Sequence, residues 1–358
     1  MSNTIEYDDL IAFHPGSYVE DLIEDLNISQ AEFANRLGTT PKTVSLVVRG
    51  KENISNDLAN KLAKLSGVSV KTWLNLQAMY DEKVLEIENQ QNEDLDTEIA
   101  KQIDIKALKD LKVIENKSHT VAEKNSKLRS LLHMASLNNL VTFNPMVSYR
   151  QADVNEKAVI NANVMLELAM NYARNVTDTK FNKKTLEKLL PDIKQLIVEM
   201  PEDVFTQLKT LLLDAGIVLV GMPKFQGAKL NGATTKFRNG SVLLLITDLN
   251  KKEDIFWFSL LHELGHIYYG EFDSNLSDNE VYREKERKAD KFSADFLIPL
   301  DRYQEFVNQN VFNEEAIVTF AQEVNTSPAI VVGRLQNDQL VGFNEFSHLK
   351  RSYAFNAE

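Results

Sequence analysis

Apolar residues recur at helical spacing through the first quarter of the chain, in short runs separated by turn residues. Val19, Leu22, Ile23 and Leu26 mark one amphipathic helix, Phe33, Ala34 and Leu37 a second, and Val44, Val47 and Val48 a third. Leu58, Leu62 and Leu65 mark a fourth, and Trp73, Leu74 and Leu76 a fifth that begins near Val70. The joints carry matching signals. Ser29 caps the second helix and Glu32 completes a capping box; Gly38 turns the chain; Thr40-Pro41 starts the third helix with Pro at its first position. Gly50 ends that helix, Ser55 opens the next and Gly67 stops it. The fifth helix continues through Val84, Leu85 and Ile87, then frays into an acidic, solvated connection within 81–104.

Helical spacing returns at Leu128, Leu131, Leu132 and Ala135, and again at Val164, Met165, Leu168 and Ala169, with a loop expected near Asn144-Pro145. From Leu186 the pattern changes. A helix through Leu208, Leu211, Leu212 and Leu213 ends at Gly216, and the continuous apolar runs 217–220 and 242–246 read as buried strands, with a tight turn at Asn231-Gly232. A long apolar helix follows, and then a charged one over 280–297 whose buried side is Ala289, Phe292, Ala294, Phe296 and Leu297. The pattern predicts a multidomain, mostly α protein. It has an all-α domain at 1–85, an acidic linker and helical connector at 86–185, and an α+β domain at 186–358.

Helix, short Gly-containing turn, helix is the helix-turn-helix pattern. Between Arg36 and Lys51 every ionised side chain is basic (Arg36, Lys42, Arg49, Lys51), whereas Glu20, Asp21, Glu24 and Asp25 sit on the first helix. Thr40, Thr43 and Ser45 are small polar residues able to meet base edges or phosphates, and Gln30 opens the second helix, where a phosphate is well received.

The apolar run 255–258 leads into His262-Glu263-Leu264-Gly265-His266. On a helix the two imidazoles share one face and one metal ion, while Glu263 is turned aside, in reach of a water. Two histidines leave such a site incomplete. Among the carboxylates downstream, Glu286 supplies the third ligand, and Asp290, one turn on, accepts the free ring N–H of a ligating histidine. Glu280 and Glu284 point to solvent, and His119 and His133 are surface or packing residues. Tyr268, Tyr269 and Tyr282 are alternative donors to a developing oxyanion.

Composition narrows these readings. The 358 residues contain no cysteine, so disulfides and thiolate ligands are excluded and a zinc ion must use His and carboxylate. A net charge of −12 argues against indiscriminate coating of nucleic acid, but not against one basic face. The first ten residues lack signal-peptide features, and the longest apolar runs are strand-sized, so a cytoplasmic protein without membrane contact is expected.

Residues 10–85 closely resemble the XRE-type helix-turn-helix of HigA-like antitoxins. The shared features are His14-Pro15-Gly16, Ser29-Gln30-x-Glu32-x-Ala34, Val44-Ser45, Gly50-Lys51, Ala59-x-x-Leu62 and Trp73-Leu74-Asn75-Leu76-Gln77-x-x-Tyr80. This resemblance implies a homodimer through the N-terminal domain on palindromic double-stranded operator DNA, with Gln30, Thr40, Lys42, Thr43, Ser45, Arg49 and Lys51 in contact. Glu286-x-x-x-Asp290 after the paired histidines is similar to the gluzincin arrangement, whereas Tyr269 and Phe272 fill the places a metzincin would use. Residues 205–350 resemble the ImmA/IrrE metallopeptidases through Gly232-Ala233-Thr234, Phe256-Trp257-Phe258, the His262–His266 motif, Glu286-x-x-Ala289-Asp290, Leu297-Ile298-Pro299 and 330–335. Many members carry a further histidine soon after the second ligand; Tyr268-Tyr269-Gly270 has none.

The resemblances imply a transcriptional regulator with one Zn²⁺ per chain on His262, His266 and Glu286, and with Glu263 as general base. The expected activity is endopeptidase cleavage of a repressor, a toxin or the chain's own linker. The alternative is a HigA-like antitoxin and autorepressor whose C-terminal domain binds a partner without proteolysis.

Overall fold

The computed structural model describes residues 3–142, 155–272 and 279–355. The chain divides into two compact units, Met1–Thr97 and Glu98–Glu358. The loop expected near Asn144-Pro145 lies outside the described residues.

The first unit contains the expected helices: α1 (Gly16–Asp25), α2 (Gln30–Leu37), α3 (Pro41–Val48), α4 (Asn56–Ser66) and the start of α5 (Val70–Gln102). Ser29, Thr40 and Ser55 each accept a backbone N–H in the first turn of the helix they precede, which satisfies one donor otherwise left unpaired there. Only the Ser29 half of the expected capping box forms, because the Glu32 carboxylate pairs with Arg36 one turn on. Phe33, Ala34, Leu37, Val44, Val47, Val48, Leu58, Leu62 and Trp73 form one buried cluster.

Two features differ from the expectation. A hairpin, β1 (Thr4–Tyr7) with β2 (Leu10–Phe13), precedes the helices, so the unit is not all-α. Its strands are four residues each, too short to show a period. The helix α5 also does not fray after Ile87 but runs unbroken to Gln102. Its acidic stretch is matched locally, as in the pairs Lys83–Glu86 and Lys101–Glu98, and is rich in good helix formers.

The second unit is layered about a three-stranded sheet of β3 (Ile217–Met222), β4 (Gly232–Lys236) and β5 (Val242–Thr247), in the order β3-β5-β4. β5 lies between a parallel β3 (Leu219 opposite Leu244) and an antiparallel β4 (Thr234 opposite Leu244). All six residues of β5 are buried. Its side chains alternate between two cores: Val242, Leu244 and Ile246 face one, Leu243 and Leu245 the other. That is why both strands read as unbroken apolar runs.

The stretch expected as a connector supplies the second core. α6 (Ile105–Asp110), α7 (Val121–Leu132) and α8 (Glu156–Ala173) pack Leu108, Leu128, Leu132, Ile160, Met165 and Leu166 against that face. The first core is filled from α9 (Lys183–Glu199), α10 (Val204–Asp214) and α11 (Glu253–Tyr269). α12 (Asn279–Leu297), α13 (Leu300–Asn308), α14 (Glu314–Glu323) and α15 (Pro328–Asn337) complete it. Gly232 forms no turn. It is the first residue of β4, and a Cβ there would lie 2.7 Å from Glu263 Cγ, so the position needs a residue without a side chain for close approach rather than for a bend.

α11 is buried on every side, with Phe256, Trp257, Leu260, Leu261, Leu264 and Ile267 in the first core. α12 packs against it, burying Ala289, Ser293 and Leu297 fully, while Phe292, Ala294 and Phe296 flank them half-buried. A Cβ at Gly265 would sit 3.0 Å from Ala289 Cα, so both helices present their smallest residues at the crossing.

In the first unit the tight crossing is that of α1 on α3, where a Cβ on Gly16 would fall 1.9 Å from the Val47 carbonyl oxygen. Gly16→Ala is therefore expected to destabilise this unit by about 1–3 kcal/mol. Denaturant unfolding followed on Trp73 will measure the loss.

Candidate metal centre and DNA-reading face

The helix α11 places His262 and His266 one turn apart, and both are buried. Their Nε2 atoms lie 3.1 Å from each other. From α12, Glu286 enters between them, with Oε2 3.4 Å from His262 Nε2 and Oε1 3.4 Å from His266 Nε2. The three side chains form the one cluster of potential ligands found among the described residues. Donor atoms about 2.0–2.1 Å from a tetrahedral cation stand about 3.3 Å apart, so these separations suit one small ion with a position left over.

Two carboxylates hold the far sides of the imidazoles. Asp290 Oδ1 lies 2.8 Å from His262 Nδ1. Glu271 Oε2, almost buried, lies 3.6 Å from His266 Nδ1. Glu271 belongs to no motif that marks it in the sequence. Gly270 closes α11 at a φ of 72°, and the Glu271 N–H returns to the His266 carbonyl, which folds the carboxylate back over that ring. The signal was present as a glycine cap followed at once by an acid.

Glu263 is buried beside Gly232 at the start of β4, one position on from His262 and so turned away from the ligand face. Of the weaker candidates, Glu284 is exposed and pairs with Lys288, and Glu280 is exposed. Tyr268 donates to Glu187 Oε1 at 3.1 Å under the Lys183 ammonium, on another side of α11 from His266, and Tyr269 is half exposed. Tyr282 is half-buried on α12. His133 caps α7 and meets Asn171 Oδ1 at 3.1 Å, and His119 is half-buried; neither belongs to the cluster.

Electrostatics tie the cluster together. Burial opposes a charge on His262, but the hydrogen bonds to Asp290 and Glu286 and the charges of Glu263 and Glu286 outweigh it and lift the imidazole to about 9. Burial likewise opposes ionisation of Glu286, and the two imidazoles prevail, holding its carboxyl well below the usual carboxylate range.

In the first unit, Gln30, Thr40, Lys42, Arg49 and Lys51 are exposed, and Thr43 and Ser45 are half-buried on α3. Thr40 caps α3, and its hydroxyl lies 3.0 Å from that of Thr43. The charge of Arg36 is matched by Glu32, which leaves Lys42, Arg49 and Lys51 as the basic groups of this face.

A helix-turn-helix head followed by a buried His-Glu-x-x-His helix with a facing Glu defines a DNA-binding regulator with a metallopeptidase-like domain. The chain belongs to the helix-turn-helix family of transcriptional regulators. Residues 19–73 match the helix-turn-helix family, and residues 217–336 match the IrrE N-terminal-like domain, a peptidase family. Over 63 residues it is 36% identical to an uncharacterized HTH-type transcriptional regulator of Escherichia coli, YddM, covering 18% of this chain and 67% of that one. Virulence-associated protein I of Dichelobacter nodosus is 30% identical over 91 residues, 25% of this chain and 84% of that one. Among solved structures, a protein of Nostoc punctiforme described as an antidote of a plasmid maintenance system is 34% identical. It covers 24% of this chain and 93% of its own, with a TM-score of 0.22. An addiction module antidote protein of the HigA family from Coxiella burnetii is also 34% identical, covering 20% and 80%, with a TM-score of 0.20. No described helix is long and apolar enough to cross a membrane.

The folded-state pKa of His262 lies above that of a free imidazole, so in metal-free protein its pairing stabilises the fold fully below about 6.5 and is lost as pH rises through about 9. Histidine NMR titration of metal-free protein should place the His262 transition near 9. In Asp290→Asn it should move toward 6.5; an unmoved transition would show that Asp290 does not hold that proton.

Proposed function

We propose that this protein is a DNA-binding transcriptional regulator of the cytoplasm whose second unit is a zinc-dependent endopeptidase acting on a protein partner, either a repressor or a toxin, or on its own chain. The observation that carries the reading is the convergence of His262, His266 and Glu286 on one point beside Glu263. Zn²⁺ held by those three residues supplies Lewis acidity and brings water within reach of deprotonation near neutral pH.

The chain's own residues do the rest. Asp290 accepts the Nδ1–H of His262, which fixes the tautomer and leaves the Nε2 lone pair for the ion. Glu271, 3.6 Å behind His266 Nδ1, favours a proton on that nitrogen by its charge. Glu263, buried beside Gly232, takes a proton from the attacking water and returns it to the amine that leaves as the peptide bond breaks. A domain kept only to bind a partner has no need of a carboxylate at that position.

The head supports operator binding by a homodimer. Lys42, Arg49 and Lys51 meet phosphates, and Gln30, Thr40, Thr43 and Ser45 stand where α2 and α3 begin.

Three outcomes are expected. Metal analysis should give one zinc per chain, lost in His262→Ala and in Glu286→Ala. Purified protein incubated with zinc, operator DNA and its partner should yield fragments that Glu263→Gln does not; the same fragments from both, or none from either, would overturn the endopeptidase. Operator affinity should fall steeply with salt, and Lys42→Ala, which removes one phosphate contact from each protomer of the dimer, should lower the salt slope by about 2.

A further inference from the structure

Of the six histidines in the chain, His14 alone falls within the first unit. It opens the His14-Pro15-Gly16 motif, lies apart from the metal centre and is only 1% exposed. Four parts of the head close over it. Its N–H bonds to the Asn3 carbonyl, just before β1, and its carbonyl accepts from the Ser17 N–H of α1. Its ring lies against Gly50, just past α3, where a Cβ would be 3.3 Å from the imidazole Cγ. It meets Tyr80 of α5 edge-on, with centroids 4.8 Å apart.

The imidazole caps α1. The residue before that helix is Pro15, which offers no side-chain acceptor to the free N–H groups of the first turn. His14 Nδ1 accepts the Gly16 N–H instead, at 2.9 Å. An accepting Nδ1 fixes the neutral tautomer with its proton on Nε2, which is buried without a hydrogen-bond partner among the described residues. A second proton has only Nδ1 to go to, where it would face the Gly16 N–H head-on. Gly16 is held in place by α3, since a Cβ on it would fall 1.9 Å from the Val47 carbonyl oxygen. The added charge would also stand at the positive end of the α1 dipole and away from water.

The charged groups around the ring do not reverse this. Burial lowers the imidazole's pKa, and it outweighs the opposing charge of Asp81 on α5, whose carboxylate is held by the Gln77 amide at 2.8 Å. Burial raises the pKa of Tyr80, which stays neutral in the acid range. Arg49 and Lys51, on either side of Gly50, are basic and oppose a further positive charge. The hairpin's acids Glu6, Asp8 and Asp9 lie toward its turn, whereas His14 follows the open end, where Thr4 pairs with Phe13. On α1 the first acid is Glu20, exposed and one turn beyond Gly16.

We propose that His14 is an acid switch for DNA binding: the head closes over the neutral imidazole alone, and a proton on Nδ1 parts α1 from α3 and releases the regulator from its operator. The switch acts in the head and does not rest on the endopeptidase reading. Its sign follows from the closed state's exclusion of the imidazolium. The contribution of His14 to the stability of the head is complete above about 6.5, the free-imidazole value, and is lost as pH falls below it.

Full-length zinc-loaded protein is titrated by fluorescence anisotropy, at one ionic strength, with the duplex it selects from a random library at pH 7.5. Its affinity should be at least about tenfold weaker at pH 5.5, since each protomer that must discharge an imidazolium contributes up to about tenfold per pH unit. His14→Asn, whose Oδ1 takes the place of Nδ1 as acceptor and does not titrate, should bind like wild type at pH 7.5 and lose less than about twofold at pH 5.5. Denaturant unfolding of the first unit, followed on Trp73, should show an unfolding constant that rises about tenfold per pH unit below 6.5.

An affinity indifferent to pH overturns the switch, and so does an equal loss in His14→Asn and wild type. A His14 resonance that titrates at or above 6.5 in the DNA-bound protein would show that the closed head accepts the imidazolium, which overturns it as well. Should His14→Asn fail to bind at pH 7.5, the wild-type unfolding decides: a constant that does not change between pH 7.5 and 5.5 sinks the proposal.

Discussion

Where α11 and α12 cross, Gly265 and Ala289 meet with no space for a larger residue on either side. Everything in the cluster depends on that distance. Glu286 and Asp290 lie three residues before and one after Ala289, so the contact that sets the helix separation also sets how far each carboxylate stands from the imidazoles. A side chain at position 265 would leave all the functional residues in place on their own helices and still part them. The site is a property of a helix pair more than of a motif.

The sheet holds α11 from the other side. β5 is buried on both faces because α8 and its neighbours cover one and α11 the other, so α11 has little freedom to shift in response to its own buried charges. Glu253, at its first turn, is itself buried and accepts from the Ser327 hydroxyl and the Arg351 N–H, which anchors the N-terminal end. A helix carrying two imidazoles and a carboxylate in an apolar setting needs such anchoring, since the mutual attraction of the charged groups is balanced by their burial.

Much of this was legible in the residues. The helices of the head announced themselves through period and caps, and most of their predicted apolar face is the core, Leu26 excepted, which lies exposed past the end of its helix. Spacing on two helices put Glu286 and Asp290 near the paired histidines, but which imidazole Asp290 meets is seen only in the fold. What escaped notice had a physical cause in each instance. β1 and β2 are too short to carry a period. Asn231-Gly232 has the composition of a turn, but Gly232 answers to the Glu263 side chain packed on it, a contact 31 residues away that no local pattern reveals. Glu271 follows a helix cap, where an acid reads as a solvated end until the backbone folds it over His266. The acidic run after Ile87 reads as an unstructured connection because composition weighs charge and misses contacts one turn apart such as Gln90–Asp94 and Lys101–Glu98.

That run bears on the proposed cleavage of the chain by itself. Residues 81–102 lie within one unbroken helix, with every amide committed to the turn before it. A peptidase handles its substrate as an extended strand. Cleavage within that stretch would thus be preceded by local melting of α5, and the helix-opening equilibrium rather than the chemistry would set how often a cut is made. Anything that steadied α5 would act as a safety catch, and anything that loosened it as a trigger.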